Sequence, residues 1–144
     1  MKIMAVDHGD ARTGVAVSDE SASLVGEAWV IHGKSLKTVA RTVAGAAAER
    51  GVGVIAVGYP KNMNDTIGPR ALKSGQLADL LRAELSLLSC GAEVVLWDER
   101  LTTVDAHRVL SDTGRRGKKR KESVDAVAAS LILEGYLGYL RNKK

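Results

Sequence analysis

The sequence contains no phenylalanine, and its aromatic residues are limited to two tryptophans and three tyrosines. A protein that grips single-stranded nucleic acid by stacking successive bases on aromatic side chains needs a richer supply. Recognition aimed at a charged backbone suits this composition better. A lone cysteine, Cys90, excludes an internal disulfide and a cysteine-based metal knuckle, and its position after Leu87-Leu88 reads as packing. No apolar stretch approaches the ~20 residues of a membrane span. The N-terminal apolar run is too short for a signal peptide and carries an acid at position 7. The expectation is a cytoplasmic protein without membrane association. Internal repeats, low-complexity tracts and linkers are also missing, so residues 1–144 read as one domain.

What is present is an ordinary soluble composition, 45% hydrophobic and 26% charged, with length enough for a real core. The net charge of +4 is modest but concentrated. Arg115, Arg116, Lys118, Lys119, Arg120 and Lys121 fall within seven positions, and Arg141, Lys143 and Lys144 close the chain. Such clusters point to a polyanionic partner, against the plainer explanation of a solvated loop.

Taken in order, Ile3-Met4-Ala5-Val6 is a short buried-strand run that ends on Asp7. The turn His8 to Gly14 follows, and Val15 to Ser18 resumes the apolar pattern, giving a β-hairpin. Glu27 to His32 reads as a third strand. Ser35 is placed to cap a helix over Leu36–Arg50 that Gly51 ends. Gly33-Lys34-Ser35 resembles the end of a phosphate-binding loop, but the first glycine of that pattern would fall on Ala28, so the match fails. Val54 to Gly58 is a continuous apolar run, as expected of a strand covered on both faces. A polar loop from Tyr59 to Gly68 leads to a helix from Pro69 to about Leu88, with Leu72, Gln76, Leu77, Leu80, Leu81 and Leu85 as its stripe. Glu93 to Trp97 is the fifth strand. Thr102 or Thr103 can cap a helix over Val104–Leu110, Arg115 to Lys121 reads as an exposed loop, and a last helix runs from about Ser123 to Leu140, with Val124, Val127, Ala128, Leu131, Ile132 and Leu137 on its core face. This order predicts an α/β domain with a five-stranded mixed sheet, three antiparallel strands followed by two parallel ones, flanked by helices.

Three acidic positions gather where such sheets build their sites. Asp7 stands at the end of strand one, Glu99 just past strand five, and Asp125 in the first turn of the last helix. Each has a structural explanation: Asp7 as a turn cap, Asp125 as a partner of the helix dipole, and either Asp98 or Glu99 as an ion-pair partner of Arg100. Three carboxylates brought together repel one another unless cations lie between them. Hard oxygen ligands without a histidine or cysteine cluster favour Mg²⁺ or Mn²⁺ over zinc. A pair of such ions ~4 Å apart activates water and stabilises the leaving oxygen in phosphodiester hydrolysis.

Four blocks carry a family resemblance. Asp7-His8-Gly9-Asp10-Ala11-Arg12-Thr13-Gly14-Val15-Ala16-Val17-Ser18-Asp19, Val57-Gly58-Tyr59-Pro60-Lys61-Asn62-Met63, Asp98-Glu99-Arg100-Leu101-Thr102-Thr103-Val104-Asp105-Ala106 and Lys121-Glu122-Ser123-Val124-Asp125-Ala126-Val127-Ala128-Ala129 occur in the order of the YqgF/RuvX family of ribonuclease H-like nucleases, which this chain resembles over nearly its whole length. The resemblance implies a ribonuclease H-like fold, a divalent-metal nuclease site and a bacterial cytoplasmic role. That role is processing of the 5′ end of pre-16S rRNA or, in an earlier view of the family, Holliday-junction resolution. By motif match, Asp7, Glu99 and Asp125 are the expected catalytic and metal-binding acids. The chain departs from the family pattern after Met63, where Asn64-Asp65-Thr66 replaces Asp-Gly-Thr, a change expected to alter substrate preference rather than fold. It also carries Gly58-Tyr59-Pro60 where many ribonuclease H-like enzymes have an acid.

The leading expectation is an endonuclease on structured RNA that uses two Mg²⁺ or Mn²⁺ ions. Arg12, Lys61, Asn62 and Arg70 are expected at phosphates near the site, with Arg115, Arg116, Lys118, Lys119, Arg120 and Lys121 adding electrostatic affinity. The same chemistry on branched DNA is the alternative, and would call for a dimer; the sequence leaves monomer and dimer both open. A non-catalytic RNA-binding scaffold is a further alternative. An ATP-binding half of the sugar-kinase or actin type is disfavoured because its cleft lies between two domains.

Overall fold

Strand β1 (Lys2–His8) lies in the middle of the sheet, and Ile3, Met4, Ala5 and Val6 are wholly buried. The computed structural model describes residues 1–60, 66–98 and 117–143, with only the backbone over 117–125. β1 pairs antiparallel with β2 (Arg12–Ser18), which pairs antiparallel with β3 (Val25–His32). Helix α1 (Leu36–Arg50) leads to β4 (Val52–Tyr59), parallel to β1. Helix α2 (Pro69–Leu87) leads to β5 (Glu93–Asp98), parallel to β4. The spatial order is β3-β2-β1-β4-β5, and α3 (Gly117–Lys143) completes the described elements. The mixed five-stranded sheet and its parallel second half are as the sequence predicts.

Alternation along β1 divides the core into two layers. Met4 and Val6 face α1 and α2, with Val15, Val17, Ile55, Val57 and Val94 beside them. Ile3 and Ala5 face α3, together with Ala16, Ala56 and Trp97. The register sets Ala5 opposite Ala16 on one side and Ala56 on the other. This row of small side chains lets α3 lie close to the sheet, where Ala129, Ile132, Leu133 and Leu137 fill the layer. Three of the five aromatic residues pin the helix to β5: Trp97 meets Tyr136 edge-on at 5.5 Å, and Tyr139 lies 5.6 Å from the same ring.

The direction of α3 follows from its C-terminal contacts. Arg141 donates to the Ser23 carbonyl at 3.5 Å, in the turn after β2 and therefore at the edge where β1 begins. The helix runs antiparallel to β1, and its first turns approach the edge where β1 ends.

α1 forms as the sequence predicts, with the Ser35 hydroxyl accepting from the Thr38 amide and Gly51 left-handed at φ 68°. Cys90 packs against the α1/α2 core. Other expectations need correction. β1 runs through Asp7 to His8, β2 begins at Arg12, β3 begins two residues earlier at Val25, β4 spans Val52–Tyr59, three residues more than expected, and β5 gains Asp98, because cross-strand pairing recruits residues beyond the apolar runs. α2 buries Ala71, Ser74, Leu77, Ala78, Leu81 and Leu85, an unbroken i+3/i+4 line. Leu72, 58% exposed, and Gln76 fall on its far side. α3 begins at Gly117, so residues 117–121 are helical and not a loop, in keeping with the good helix propensity of lysine and arginine. Asp125 is then the ninth residue of the helix and outside its first turn. The expected helix over Val104–Leu110, its caps Thr102 and Thr103, and the side chain of Val124 lie outside the described residues. On the rest of the expected core face, Leu131, Ile132 and Leu137 are buried, and Val127 and Ala128 are half-buried.

The alanine row gives a test of the α3 layer. Ala5→Leu should destabilise the protein by ~1–3 kcal/mol or more through overpacking, whereas Ala28→Leu, opposite Ala16 on the exposed β3 edge, should stay within ~0.5 kcal/mol. Equal urea midpoints for the two variants would contradict close packing of the helix on this row.

Candidate metal-assisted nuclease site

The site grows from the edge where β1, β4 and β5 end. Asp7 is the penultimate residue of β1, and its side chain is 15% exposed. Strand alternation puts it on the same face as Ile3 and Ala5, the face that α3 covers. Its β2 partner is Gly14. On the other side, Gly58 follows Val57, the partner of Val6, and Gly58 in turn pairs with Trp97. Asp7 therefore lies between two residues without side chains.

Arg12 begins β2 two residues before Gly14, on the same face as Asp7. Asp98 reaches the same edge at the end of β5, opposite Tyr59. Its face is the other one, since Val94 joins the α1/α2 core while Val95 and Trp97 join the α3 core. Asp125 lies on α3, whose N-terminal turns approach this edge. Glu99, Lys61, Asn62, Arg115 and Arg116 lie outside the described residues, and Lys118, Lys119, Arg120 and Lys121 occupy the first turns of α3.

α2 brings its N-terminal turn against the β1–β2 hairpin. Arg70 donates to the His8 carbonyl at 3.4 Å and stands 4.0 Å from the Asp7 carboxylate. One turn on, Lys73 bonds Asp10 at 2.9 Å, which holds the Asp10 carboxyl below its ordinary range. The Lys73–Asp10 pair spans 63 positions and has no signal in the sequence. The hairpin turn itself needs glycine: a Cβ on Gly9 would sit 2.5 Å from the Arg12 carbonyl oxygen.

His8 points away from Asp7, onto the α1/α2 face, where it is buried and its Nδ1 lies 3.2 Å from the Thr13 hydroxyl. Burial pushes its pKa below the ordinary histidine value; Asp10 opposes this, and Lys73 and Arg70 reinforce it. The imidazole is thus neutral and turned away from Asp7. Among the described residues no three acidic, histidine or cysteine side chains converge as a metal cage, and two of the three expected acids, Glu99 and the Asp125 side chain, fall outside that description. Asp7 itself fits a hard divalent cation: it supplies carboxylate oxygens at a partly open edge, with no thiol or imidazole on its face of β1.

Known proteins match this chain along its length. The profile of the family described as RuvX, Holliday junction resolvase, matches residues 1–139. A provisionally named pre-16S rRNA nuclease of Agathobacter rectalis is 43% identical, the match covering 100% of this chain and 99% of the relative. A protein of Halothermothrix orenii with the same provisional name is 42% identical, covering 96% of each. Among solved structures, the RuvC protein of T. thermophilus in complex with a Holliday junction superposes with a TM-score of 0.59 at 15% identity, covering 96% of each chain. The fowlpox virus resolvase with its junction DNA gives 0.58 at 12% identity, covering 97% of this chain and 99% of the other. At such identities the structural likeness speaks for the fold, which is ribonuclease H-like.

The neutral, buried His8 makes stability depend on pH. Its folded pKa is depressed, so the unfolded chain binds more protons once pH falls below ~6.5, and stability is lost progressively from there downward. His8→Asn should remove that part of the loss; denaturant midpoints at pH 7 and pH 5.5 that shift equally in both proteins would contradict it.

Proposed function

The chain belongs to the RuvX family, and we propose that it is a divalent-metal-dependent endonuclease that processes the 5′ end of pre-16S rRNA in the cytoplasm. The observation that carries this reading is the position of Asp7: a carboxylate at the end of the central strand, on the face toward which α3 brings Asp125. Among the described residues no helix is long and apolar enough to cross a membrane, in keeping with a role on RNA away from lipid.

We assign Asp7, Glu99 and Asp125 as the metal-binding acids. Asp98 is the less suitable neighbour, because β5 directs it to the face opposite Asp7. Two Mg²⁺ or Mn²⁺ ions held there would supply the Lewis acidity that phosphodiester hydrolysis requires. The protein's part is to position and to neutralise. The backbone of Asp7 is fixed by its pairing with Gly14 and by the pairing of Val6 before it with Val57, so the position of its carboxylate is largely set before substrate arrives. Arg70 offers a guanidinium within reach of a phosphate held by cations at Asp7, and Arg12 lies on the same face of the sheet, two residues before Gly14. Lys61 and Asn62, from the loop after β4, are assigned to the flanking phosphates.

The family's description favours one other substrate, the four-way DNA junction, cut by the same acids in a dimer. Both substrates belong in one experiment. End-labelled pre-16S rRNA and a four-way junction are incubated with Mg²⁺ or Mn²⁺, using the wild type and Asp7→Asn. The expected result is metal-dependent cuts near the 5′ end of the rRNA, reduced ~100-fold or more in Asp7→Asn while RNA binding persists. Symmetrical junction cuts without rRNA cuts would replace the rRNA assignment by the resolvase, and binding with no cut would leave an RNA-binding scaffold.

A further inference from the structure

Helix α2 sends two cations to the β1–β2 hairpin from successive turns, and the two contacts differ. Lys73 closes on Asp10 at 2.9 Å, so the helix stands near enough to the hairpin for a tight ion pair. Arg70, one turn earlier, stops 4.0 Å from the Asp7 carboxylate and 3.4 Å from the His8 carbonyl. Neither contact is short, and the Arg70 side chain is 62% exposed against 15% for Asp7. The acid is thus mostly withdrawn from water, whereas the cation beside it is loosely held and able to turn outward.

A cation so placed has two opposed effects. A carboxylate that is largely buried needs positive charge nearby, and Arg70 supplies part of it before any metal is bound. A dication taken up at Asp7 would lie within one Debye length of the guanidinium, ~8–10 Å, and the two repel. The charge that steadies the acid therefore also opposes metal uptake. A substrate phosphate at the site relieves that conflict, because its oxygens offer the guanidinium a bidentate partner in place of the carboxylate.

Resting on the nuclease reading above, we propose that Arg70 is a counter-cation of Asp7 in the metal-free protein, that a divalent ion displaces it, and that the guanidinium then passes to a phosphate of the substrate. Metal and nucleic acid are thereby coupled through one side chain. Each makes room for the other, and the coupling is reciprocal. Lys73 stays out of the exchange, held by its own partner at the surface of the hairpin.

The exchange gives one substitution effects of opposite sign on two ligands. Mn²⁺ is titrated without nucleic acid, with the free ion followed by electron paramagnetic resonance, in the wild type, Asp7→Asn, Arg70→Gln, Arg70→Lys and Lys73→Gln. Arg70→Gln should bind Mn²⁺ about three- to tenfold more tightly than the wild type, through loss of a repelling charge partly screened by water. Arg70→Lys keeps the charge and Lys73→Gln removes a more distant one, so both should stay within about twofold of the wild type. RNA affinity is measured by fluorescence anisotropy on a labelled hairpin with a single-stranded 5′ extension. With Ca²⁺ in place of Mg²⁺, Arg70→Gln should weaken RNA binding about fivefold even though it holds the metal more tightly. Without divalent ions the same substitution should cost about twofold or less, because the guanidinium then remains at Asp7. A gain for one ligand with a loss for the other cannot come from misfolding.

An Arg70→Gln protein that binds Mn²⁺ no more tightly than the wild type, or that loses RNA affinity equally with and without Ca²⁺, would overturn the exchange. The nuclease reading is scored separately. Mn²⁺ binding that is lost in Asp7→Asn but not tightened in Arg70→Gln overturns the exchange alone. Mn²⁺ binding that Asp7→Asn leaves unchanged removes the metal site and the exchange together. Opposite effects on the two ligands in a protein that makes no cut support the exchange and remove the nuclease reading.

Discussion

Strand β1 is covered on both faces, so each of its side chains must fit either the α1/α2 layer or the α3 layer, and a slip of one residue would exchange the two sets. The small side chain of Ala5 fits only beneath the close approach of α3, and Met4 and Val6 fill the opposite layer. That constraint carries through the two residues that follow the apolar run. Asp7 must emerge on the α3 side and His8 on the α2 side. The first is left partly open at the sheet edge, and the second is buried beside Thr13 in its neutral form.

The same constraint governs how the acid meets positive charge. A carboxylate that is mostly withdrawn from water needs compensation. Here some of it comes from α2, whose first turn holds no acidic residue and ties down the hairpin through Arg70 and Lys73. The Arg70 contact with Asp7 is long, 4.0 Å, and the guanidinium is well exposed, so the pair is weakly bound and exchangeable. Such a contact steadies the acid without committing its oxygens. By contrast Lys73 and Asp10 close to 2.9 Å at the surface, an attachment between helix and turn.

Aromatic scarcity has a structural counterpart as well. Trp97, Tyr136 and Tyr139 are spent on fastening α3 to β5, and the first two are largely buried. The helix that carries Asp125 is therefore anchored at its C-terminal half, and its basic first turns are carried out toward the site edge.

The sequence by itself determined the α/β class, the mixed sheet, the limits of α1 and the place of Asp7 at a strand end. These rest on local rules: runs of apolar residues, a serine cap, a left-handed glycine and the period of a strand. The family motifs, which lie in order along the chain, pointed to the three acids proposed for the site without showing where the fold places them. Tertiary structure alone decided the rest, because it depends on contacts between distant residues. The burial of Ala71 and Ser74 in place of Leu72 and Gln76 is fixed by how α2 rolls onto the sheet. The helical start of α3 at Gly117 was hidden because a run of cations satisfies a loop and a helix equally well until packing anchors one end. The Arg70 and Lys73 contacts with a hairpin some sixty positions earlier exist only because β4 lies beside β1 and returns the chain to that edge.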